Sequence, residues 1–477
     1  MAALLPLPLL PNLLQCPNPK RHHPPSRRLR SLTIRTIPIN STGSPRHPPT
    51  SHPPSRANLA SCRPCRKRSP RVTDSSPSNP LLRPLTRVIL TLWVIFAVAL
   101  AVKLTCWPHK HTVFPVYHAA VQAALAGDSP YDRVGELDLF RYPPPSLWLF
   151  FPFGVLSIRL SGALWGACSV GITLWGALRL LRWALPGATT WSDRRVAAYL
   201  LVTLLVASRG LWNAQANGLL GGFIFLAVAE MARARYWLSS FAMAAALLLK
   251  PTMLSVPMLL AAWRPSWGVR LLAALAAIVM LTAVPAPKQS AWLWEKWVEH
   301  GKSSAGERRA AFRDAWTLGL TAVDLVRPGI DDPPLETPYA RWYYPAVPGA
   351  FAFLALGTGW WLSRNLQPQA AVCLMAALGT CWMLLFGPAI EHPTYLLAAP
   401  WLGWALVSAN EAGRWKSSGL AAGACGAILL FVAGGLKANP FFPPLSASMP
   451  IAMVLLSAWL VAWGLEQGRA GDQSAVS

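Results

Sequence analysis

The sequence has little charge, and acidic residues are especially scarce. Only 13% of the 477 residues are charged, with 19 Asp and Glu against 43 Lys and Arg, while 53% are hydrophobic. A soluble multidomain enzyme needs a more polar surface than this composition can supply. No acidic cluster suggests a metal site, so we predict a protein that uses no metal and no other cofactor.

Paired cysteine motifs are also missing. The eight cysteines lie mostly inside or beside apolar segments, where a thiol behaves as a small hydrophobic side chain. One CxxC motif, Cys62 to Cys65, has no second pair and no neighbouring histidine cluster. We therefore predict no metal or redox chemistry for the cysteines.

Long apolar runs recur along the chain. Each can cross all or most of a hydrocarbon layer that is roughly 30 Å thick, and the 24 tryptophans suit anchors at the membrane interface. Examples are the runs 88–102, 271–284, 347–362, 370–387 and 451–465. The pattern predicts an all-α polytopic membrane protein with about 11 to 13 transmembrane or half-spanning helices.

The first part of the chain has a different composition. Residues 1–82 hold 13 Lys or Arg against the single acid Asp74, together with 17 of the 45 prolines. With so few residues able to form a core, we expect this segment to be disordered and outside the fold. It could be a basic cytoplasmic tail, an organellar transit peptide or translated sequence upstream of the true start.

The rest of the net charge of +24 does not point to nucleic acid. Basic residues collect in the short connections between apolar segments, as the positive-inside rule predicts. We therefore expect membrane lipids, and no nucleic acid, as partners. The sequence predicts a membrane domain over 83–467 and a cytoplasmic tail over 468–477.

The basic clusters predict how the chain crosses the membrane. If 85–106 leaves the cytoplasm, alternate crossings return each cluster to the cytoplasmic side. If the run 237–263 forms two half-spanning helices that meet at Lys250-Pro251, where proline breaks the helix, both flanking basic clusters stay cytoplasmic. One continuous span would reverse every crossing that follows. The proline-rich segment 142–158 is better suited to a re-entrant or interfacial element than to a full crossing.

This order of membrane crossings places the polar motifs on the extracytoplasmic side. They are the loops 107–141 and 285–344, the turn 213–217, Lys250 and the pair Glu391-His392. We therefore predict one extracytoplasmic chamber that holds the chemistry.

The first loop carries carboxylates beside the membrane. Asp128 or Asp132 could act as a general base on an acceptor hydroxyl, while Arg141 or His118 meets a phosphate. The alternative is that Gly127-Asp128-Ser129-Pro130 is turn chemistry and the other acids are merely solvated.

Ionisable side chains lie at two later helix ends. Lys250 closes an apolar run, where a cation is costly unless it reaches the interface or meets an anion such as phosphate. Glu391 and His392 are either a functional pair at membrane depth or a simple loop near the headgroups.

Two other motifs can be explained by structural roles instead of functional ones. Asn213, Gln215 and Asn217 could bind sugar hydroxyls, but polar residues between helices also act as caps. Gly162 and Gly166, four residues apart, predict close packing between helices.

Several short motifs together resemble a known family. They are Val116-Tyr117-His118-Ala119-Ala120, Gly127-Asp128-Ser129-Pro130-Tyr131-Asp132, Tyr142-Pro143-Pro144-Pro145, Asn213 to Asn217, Leu249-Lys250-Pro251 and Gly387-Pro388-Ala389-Ile390-Glu391-His392. In this order and spacing they resemble glycosyltransferase family eighty-seven, polyprenol-phosphate-mannose-dependent mannosyltransferases of the C-type superfamily. The resemblance runs from about residue 85 to about residue 465.

The resemblance implies a C-type glycosyltransferase-like bundle, in the bacterial plasma membrane, with its active site facing outside. A hexose, in this family mannose, passes from a polyprenyl-phosphate donor to a lipid or glycan acceptor with inversion at the anomeric carbon. His392 matches a family histidine near the donor phosphate. With Lys250 and Arg141, we expect it to stabilise the charge that develops on the leaving phosphate. Tyr142 and the three amides of the turn 213–217 are the expected sugar or acceptor ligands.

The chain departs from the family at the expected catalytic base. Family members usually have an aspartate just before the aromatic segment of the first loop, where this chain has Val113. Asp128, Asp132 or Glu391 is then the candidate for the base. The departure also leaves open a catalytically inactive scaffold. A transporter or lipid flippase is a further alternative, because broken helices with polar groups also build transport sites.

Overall fold

The computed structural model describes residues 83–132, 135, 137–304, 343–387, 390–409, 415–434 and 448–476. All regular structure in these ranges is helical. The α-helices, numbered along the chain, are α1 (Pro84–Cys106), α2 (Phe114–Ala126), α3 (Leu147–Gly154), α4 (Ile158–Trp183), α5 (Asp193–Trp212), α6 (Asn217–Ala232), α7 (Tyr236–Leu249), α8 (Ser255–Trp263), α9 (Pro265–Ala283), α10 (Pro287–Ser304), α11 (Tyr343–Ser363), α12 (Pro368–Phe386), α13 (Ala399–Ala409), α14 (Trp415–Gly434) and α15 (Ser448–Val476). The predicted disordered segment 1–82 and most of the predicted loop 285–344 lie outside the described residues.

Most of these helices are apolar along their length. Seven of the described helices are long and apolar enough to cross a membrane, and four shorter apolar helices accompany them. These eleven segments follow the predicted runs closely, including the split of 237–263 into two short pieces. The predicted all-α polytopic fold is therefore confirmed.

Glycines set the closest contacts between helices. A Cβ atom added at Gly162 of α4 would lie 3.0 Å from the carbonyl oxygen of Leu104 in α1. A Cβ atom added at Gly176, two turns before the end of α4, would lie 2.5 Å from the carbonyl oxygen of Gly222 in α6. Small residues at these positions allow the backbones to approach, and the predicted packing role of the first glycine motif is confirmed.

The helices α7 and α8 form a hairpin whose tip is Lys250. Pro251 follows directly and begins a short 3₁₀ turn, because proline cannot continue the ladder of α7. The chain then returns to the end at which α7 began. There Trp267 Nε1, near the start of α9, donates to Ser239 Oγ at 3.0 Å. The predicted hairpin is confirmed by this contact.

The proline-rich segment after the first loop forms no crossing. A 3₁₀ turn over Pro144–Ser146 leads into α3, whose eight residues span about 12 Å. Phe150 is fully buried, whereas Trp148 is 56% exposed. One face therefore packs inward and the other faces outward, as expected for a re-entrant or interfacial element.

The first part of the predicted extracytoplasmic loop over 285–344 forms a helix, α10, which the sequence analysis did not predict. Leu293 and Trp297, four residues apart, pack against the core. This amphipathic spacing stabilises a helix on the protein surface despite the many charges around it. At the other end of the chain, α15 continues as a helix through most of the predicted tail 468–477.

Candidate active site

Polar motifs that are distant in sequence meet at one end of the helices. The turn between α5 and α6 contacts the segment that follows α12 through Gln215 and Glu391. The tip of the α7–α8 hairpin reaches the same segment through Lys250 and Thr394. The first loop joins them through Tyr117, which bonds the turn.

The turn between α5 and α6 is held by hydrogen bonds to its backbone. Trp165 Nε1 donates to the Ala214 carbonyl oxygen at 2.9 Å, and the Val113 N–H donates to the Asn213 carbonyl oxygen at 3.1 Å. Ala214 has a φ angle of 53°, in the left-handed region that non-glycine residues seldom adopt. The surrounding bonds fix this conformation and so aim the side chains of the turn.

Two amides connect the turn to Glu391. Asn217 Nδ2 donates to Gln215 Oε1, and Gln215 Nε2 donates to Glu391 Oε2, both at 2.5 Å. The order is dictated by chemistry, because a carboxylate only accepts hydrogen bonds and the amide of Gln215 must therefore present its nitrogen to it. The relay fixes one oxygen of the carboxylate.

A cation reaches the segment that carries this carboxylate. Lys250 Nζ donates to Thr394 Oγ1 at 3.1 Å, and the Thr394 N–H donates to the Glu391 carbonyl oxygen at 2.8 Å. The charge of Glu391 acts on the ammonium group of Lys250. Lys250 and Glu391 therefore lie in the same region, Lys250 directly after the end of α7 and Glu391 shortly after the end of α12.

A pair of tyrosines lines the cluster on the first-loop side. Tyr117 Oη and Tyr142 Oη are 3.0 Å apart, and Tyr117 Oη also accepts from the Ala216 N–H at 2.9 Å. Burial raises the pKa of both phenols well above the usual range, so both remain protonated at neutral pH. Tyr117 Oη therefore contacts both the backbone of the turn and the second phenol.

The predicted carboxylates of the first loop lie elsewhere. Asp128 and Asp132 are exposed and belong to the turn that follows α2, where the Asp128 N–H donates to the Ala123 carbonyl oxygen at 2.9 Å. The charge of Asp132 acts on Lys296 of α10. Among the described residues, no hydrogen bond or ion pair joins either aspartate to Glu391.

The other two predicted phosphate ligands flank the cluster. Arg141 is exposed, its Nη2 lies 3.5 Å from Asp138 Oδ1, and its charge acts on Tyr142. Its carbonyl oxygen accepts from Trp297 Nε1 at 3.2 Å, which ties the first loop to α10. His392 is half-buried and begins the 3₁₀ helix that follows Glu391 directly.

Sequence reasoning missed two residues of the cluster. Tyr117 lay within a motif used for the resemblance, but it had no assigned role, and Thr394 was not considered. The spacing of three residues between Glu391 and Thr394 was the available signal, because such residues share one face of a helical turn. Within the described ranges, no group of three or more His, Cys, Asp or Glu side chains could hold a metal ion.

The helical fold and its polar cluster define a multi-pass membrane protein with a site at one end of its helices. The sequence model of Glycosyltransferase family 87 matches residues 140–388, more than half of the chain. The chain therefore belongs to glycosyltransferase family 87 and is a membrane glycosyltransferase, which confirms the resemblance seen in the motifs.

Solved structures with a related arrangement include ArnT from Cupriavidus metallidurans. The chain is 17% identical to ArnT bound to undecaprenyl phosphate, with a TM-score of 0.35, and 17% identical to the apo state, with a TM-score of 0.36. Each alignment covers 80% of this chain and 78% of that chain. A comparison with curated proteins finds no match.

Proposed function

We propose that this enzyme transfers a hexose, specifically mannose, from a polyprenyl-phosphate donor to a lipid or glycan acceptor. The transfer takes place on the extracytoplasmic side of the bacterial plasma membrane and inverts the anomeric carbon. Family membership supports sugar transfer. The observation that carries the proposal is the meeting of Glu391, its amide relay and Lys250 at one end of the helices.

Glu391 is the best-placed general base. Gln215 donates to its Oε2, which orients the carboxylate and leaves Oε1 to take the proton of an acceptor hydroxyl. The Gln215 side chain ties Glu391 to the turn, and Thr394 links its backbone to Lys250, so Glu391 lies between the turn and the hairpin tip. A base must lie within hydrogen-bonding reach of the proton it removes, so the proposal requires the acceptor hydroxyl to bind beside Oε1.

The exposed aspartates are weaker candidates for the base. Asp128 and Asp132 lie in a surface turn, where bulk water competes for an acceptor hydroxyl. Val113 cannot accept a proton, although its backbone lies against the Asn213 turn. The base function has therefore moved, in this proposal, from position 113 to Glu391.

The leaving phosphate is bound by cations at the edges of the cluster. Lys250 lies at the broken tip of the hairpin, and His392 directly follows the proposed base. Arg141, at the end of the first loop, faces the tyrosine pair. Preorganised donors of this kind stabilise the charge that develops on the leaving group.

The sugar is bound by the turn and the tyrosine pair. Asn217 and Gln215 present amide groups beside Glu391, and Asn213 lies at the start of the same turn. Tyr142 remains a protonated phenol beside them. Amides and phenols both donate and accept hydrogen bonds, which suits the hydroxyl groups of a hexose.

In the proposed transfer, every proton and bonding electron pair is accounted for without a metal ion. The acceptor hydroxyl gives its proton to Glu391, and its oxygen forms a bond to the sugar C1. The bond between C1 and the phosphate oxygen breaks on the opposite face, and the polyprenyl phosphate leaves with both bonding electrons. Lys250 and His392 stabilise the negative charge on that phosphate.

A transfer assay with matched variants tests the proposal. Purified protein is incubated with labelled polyprenyl-phosphate mannose and lipid acceptors, and the product is separated and counted. Glu391→Gln keeps the shape of the side chain but not the base, so we expect turnover to fall about a hundredfold or more. Glu299→Gln, which alters an exposed glutamate paired with Lys296, serves as the control and should retain activity.

Other outcomes distinguish the alternatives. Loss of transfer in Asp128→Asn with normal transfer in Glu391→Gln would move the base to the first loop. Transfer unaffected by His392→Ala would remove His392 from the donor site. Movement of intact donor lipid across vesicles, without any transfer, would replace the proposal with a transporter.

A further inference from the structure

A second charged cluster lies at the opposite end of the helices, away from the candidate active site. Its centre is Glu230, near the end of α6, whose side chain is fully buried. Arg179 of α4 donates to Glu230 Oε1. Arg233 Nη1 lies 3.1 Å from Glu230 Oε2, and Arg235 Nε lies 4.0 Å from the same oxygen. One carboxylate thus faces three guanidinium groups.

The cluster keeps an excess of positive charge. A single carboxylate cannot neutralise three arginines, and Arg182 brings a fourth guanidinium group to the same place. The side chains of Arg179 and Arg235 are 25% and 56% exposed. The uncompensated charge therefore lies at the surface of the helices, while Glu230, the acid that these arginines share within the described part of the chain, lies inside.

An aromatic ring joins two of the arginines. The guanidinium carbons of Arg182 and Arg233 lie 4.9 Å and 4.3 Å from the ring centroid of Trp183. Trp183 ends α4, one of the helices long enough to cross a membrane. Tryptophan at such a position marks the level of the lipid headgroups, so the excess charge is set at headgroup depth.

Two hydrogen-bond donors in the cluster lack an acceptor. Trp183 Nε1 and Arg179 Nε are buried and have no hydrogen-bond partner among the described residues. Buried N–H groups are normally paired, and an unpaired one calls for an explanation such as a bound water or ion. An anion would suit both these donors and the surrounding arginines.

We propose that Arg182, Arg233 and Trp183, with Arg179 beneath them, bind the phosphate of an anionic phospholipid headgroup. A phosphate diester supplies the negative charge and the acceptor oxygens that the cluster lacks. Its acyl chains extend along the apolar surface of α4, and basic pockets between transmembrane helices are typical of headgroup sites. Glu230 holds the arginines in place and is a positioning residue of this lipid site.

Native mass spectrometry of the full chain, purified in detergent and stripped of lipid, tests the site. Phosphatidylglycerol and phosphatidylcholine are titrated separately, and bound lipids are counted at each concentration. We expect phosphatidylglycerol to bind at concentrations at which phosphatidylcholine does not. Inorganic phosphate, added as a competitor, should not displace the bound lipid, because it lacks the acyl chains.

Arg182→Gln removes a cation from the cluster without uncovering buried Glu230. We expect the affinity for phosphatidylglycerol to fall about tenfold, as for the loss of one hydrogen bond to a charged group, and Arg182→Glu should abolish binding. The control is Arg264→Gln, because Arg264 also stacks on a neighbouring tryptophan, at 4.5 Å from the Trp263 ring. Arg264 makes no ion pair among the described residues with a buried acid, so this variant should bind as the parent does.

Three results would overturn the lipid site. These are equal binding of both lipids, equal loss of binding in Arg182→Gln and Arg264→Gln, and displacement of phosphatidylglycerol by inorganic phosphate. The last result would indicate a site for free phosphate. Thermal unfolding of the lipid-free variants shows that each one is folded before it is titrated.

Discussion

Two glutamates at opposite ends of the helices have opposite surroundings. Glu230 is fully buried and faces three arginines, so its charge is more than balanced. Glu391 is half-buried and accepts a hydrogen bond from the neutral amide of Gln215. The first carboxylate is held by arginines on three sides, whereas the second is oriented through one oxygen by a neutral amide. In the proposed function, the first acid is structural and the second takes part in the chemistry.

Exchange of each glutamate for glutamine should give opposite phenotypes, and these are the largest effects we expect. Glu391→Gln should lower turnover about a hundredfold or more and leave the unfolding temperature near that of the parent. Glu230→Gln leaves the arginines unbalanced, which should cost roughly 3 kcal/mol of folding free energy. The specific activity of the Glu230→Gln molecules that remain folded should be normal.

Thermal unfolding in detergent and transfer by the folded fraction measure both properties on the same samples. If Glu230→Gln lost activity while it kept its stability, Glu230 would take part in the chemistry. The contrast between the two ends would then be lost.

Lys250→Met tests the role of the cation at the candidate active site. Methionine fills the apolar part of the site but cannot stabilise the leaving phosphate, so we expect turnover to fall about a hundredfold. Arg264→Met, a change of a cation at the opposite end of the same hairpin, serves as the matched control and should leave turnover unchanged. Equal effects of both changes would indicate that hairpin stability, and not phosphate binding, limits the reaction.

The sequence was sufficient to predict the helices but not the site contacts. Apolar runs and basic connections predicted the membrane-spanning helices and the α7–α8 hairpin, because both signals are local, but they did not predict α10. The hairpin followed from one proline and from the need to keep basic clusters on one side. The contact between Gln215 and Glu391 joins residues 176 positions apart, and nothing local indicates it.

The lack of a local signal also explains why the sequence analysis chose the first-loop aspartates and did not predict α10. Asp128 and Glu391 are both acids beside apolar segments, and only the contacts of the folded chain distinguish an exposed turn from a carboxylate within a relay. The segment 287–304 has so many charges that its average polarity suggested a loop. Its apolar residues nevertheless repeat at helical spacing, and this periodicity is the signal that average polarity conceals.

Tyr117→Phe should have the smallest effect, because it alters the support of the relay and leaves Glu391 intact. The Ala216 N–H loses its acceptor, and an unpaired buried donor costs about 1–3 kcal/mol. The turn that carries Gln215 and Asn217 is then less firmly held, so the sugar should bind less tightly. We expect KM for the donor to rise more than kcat falls, since Glu391 and Lys250 are unchanged.

Steady-state kinetics over a range of donor concentrations separate these two constants. Tyr199→Phe is the matched control, because its buried hydroxyl donates to the Ala177 carbonyl oxygen at 3.1 Å, away from the relay. A loss of kcat in Tyr117→Phe at saturating donor would place the phenol in the chemical step itself. A similar rise of KM in both variants would mean that general loosening of the helices, and not the relay, sets donor affinity.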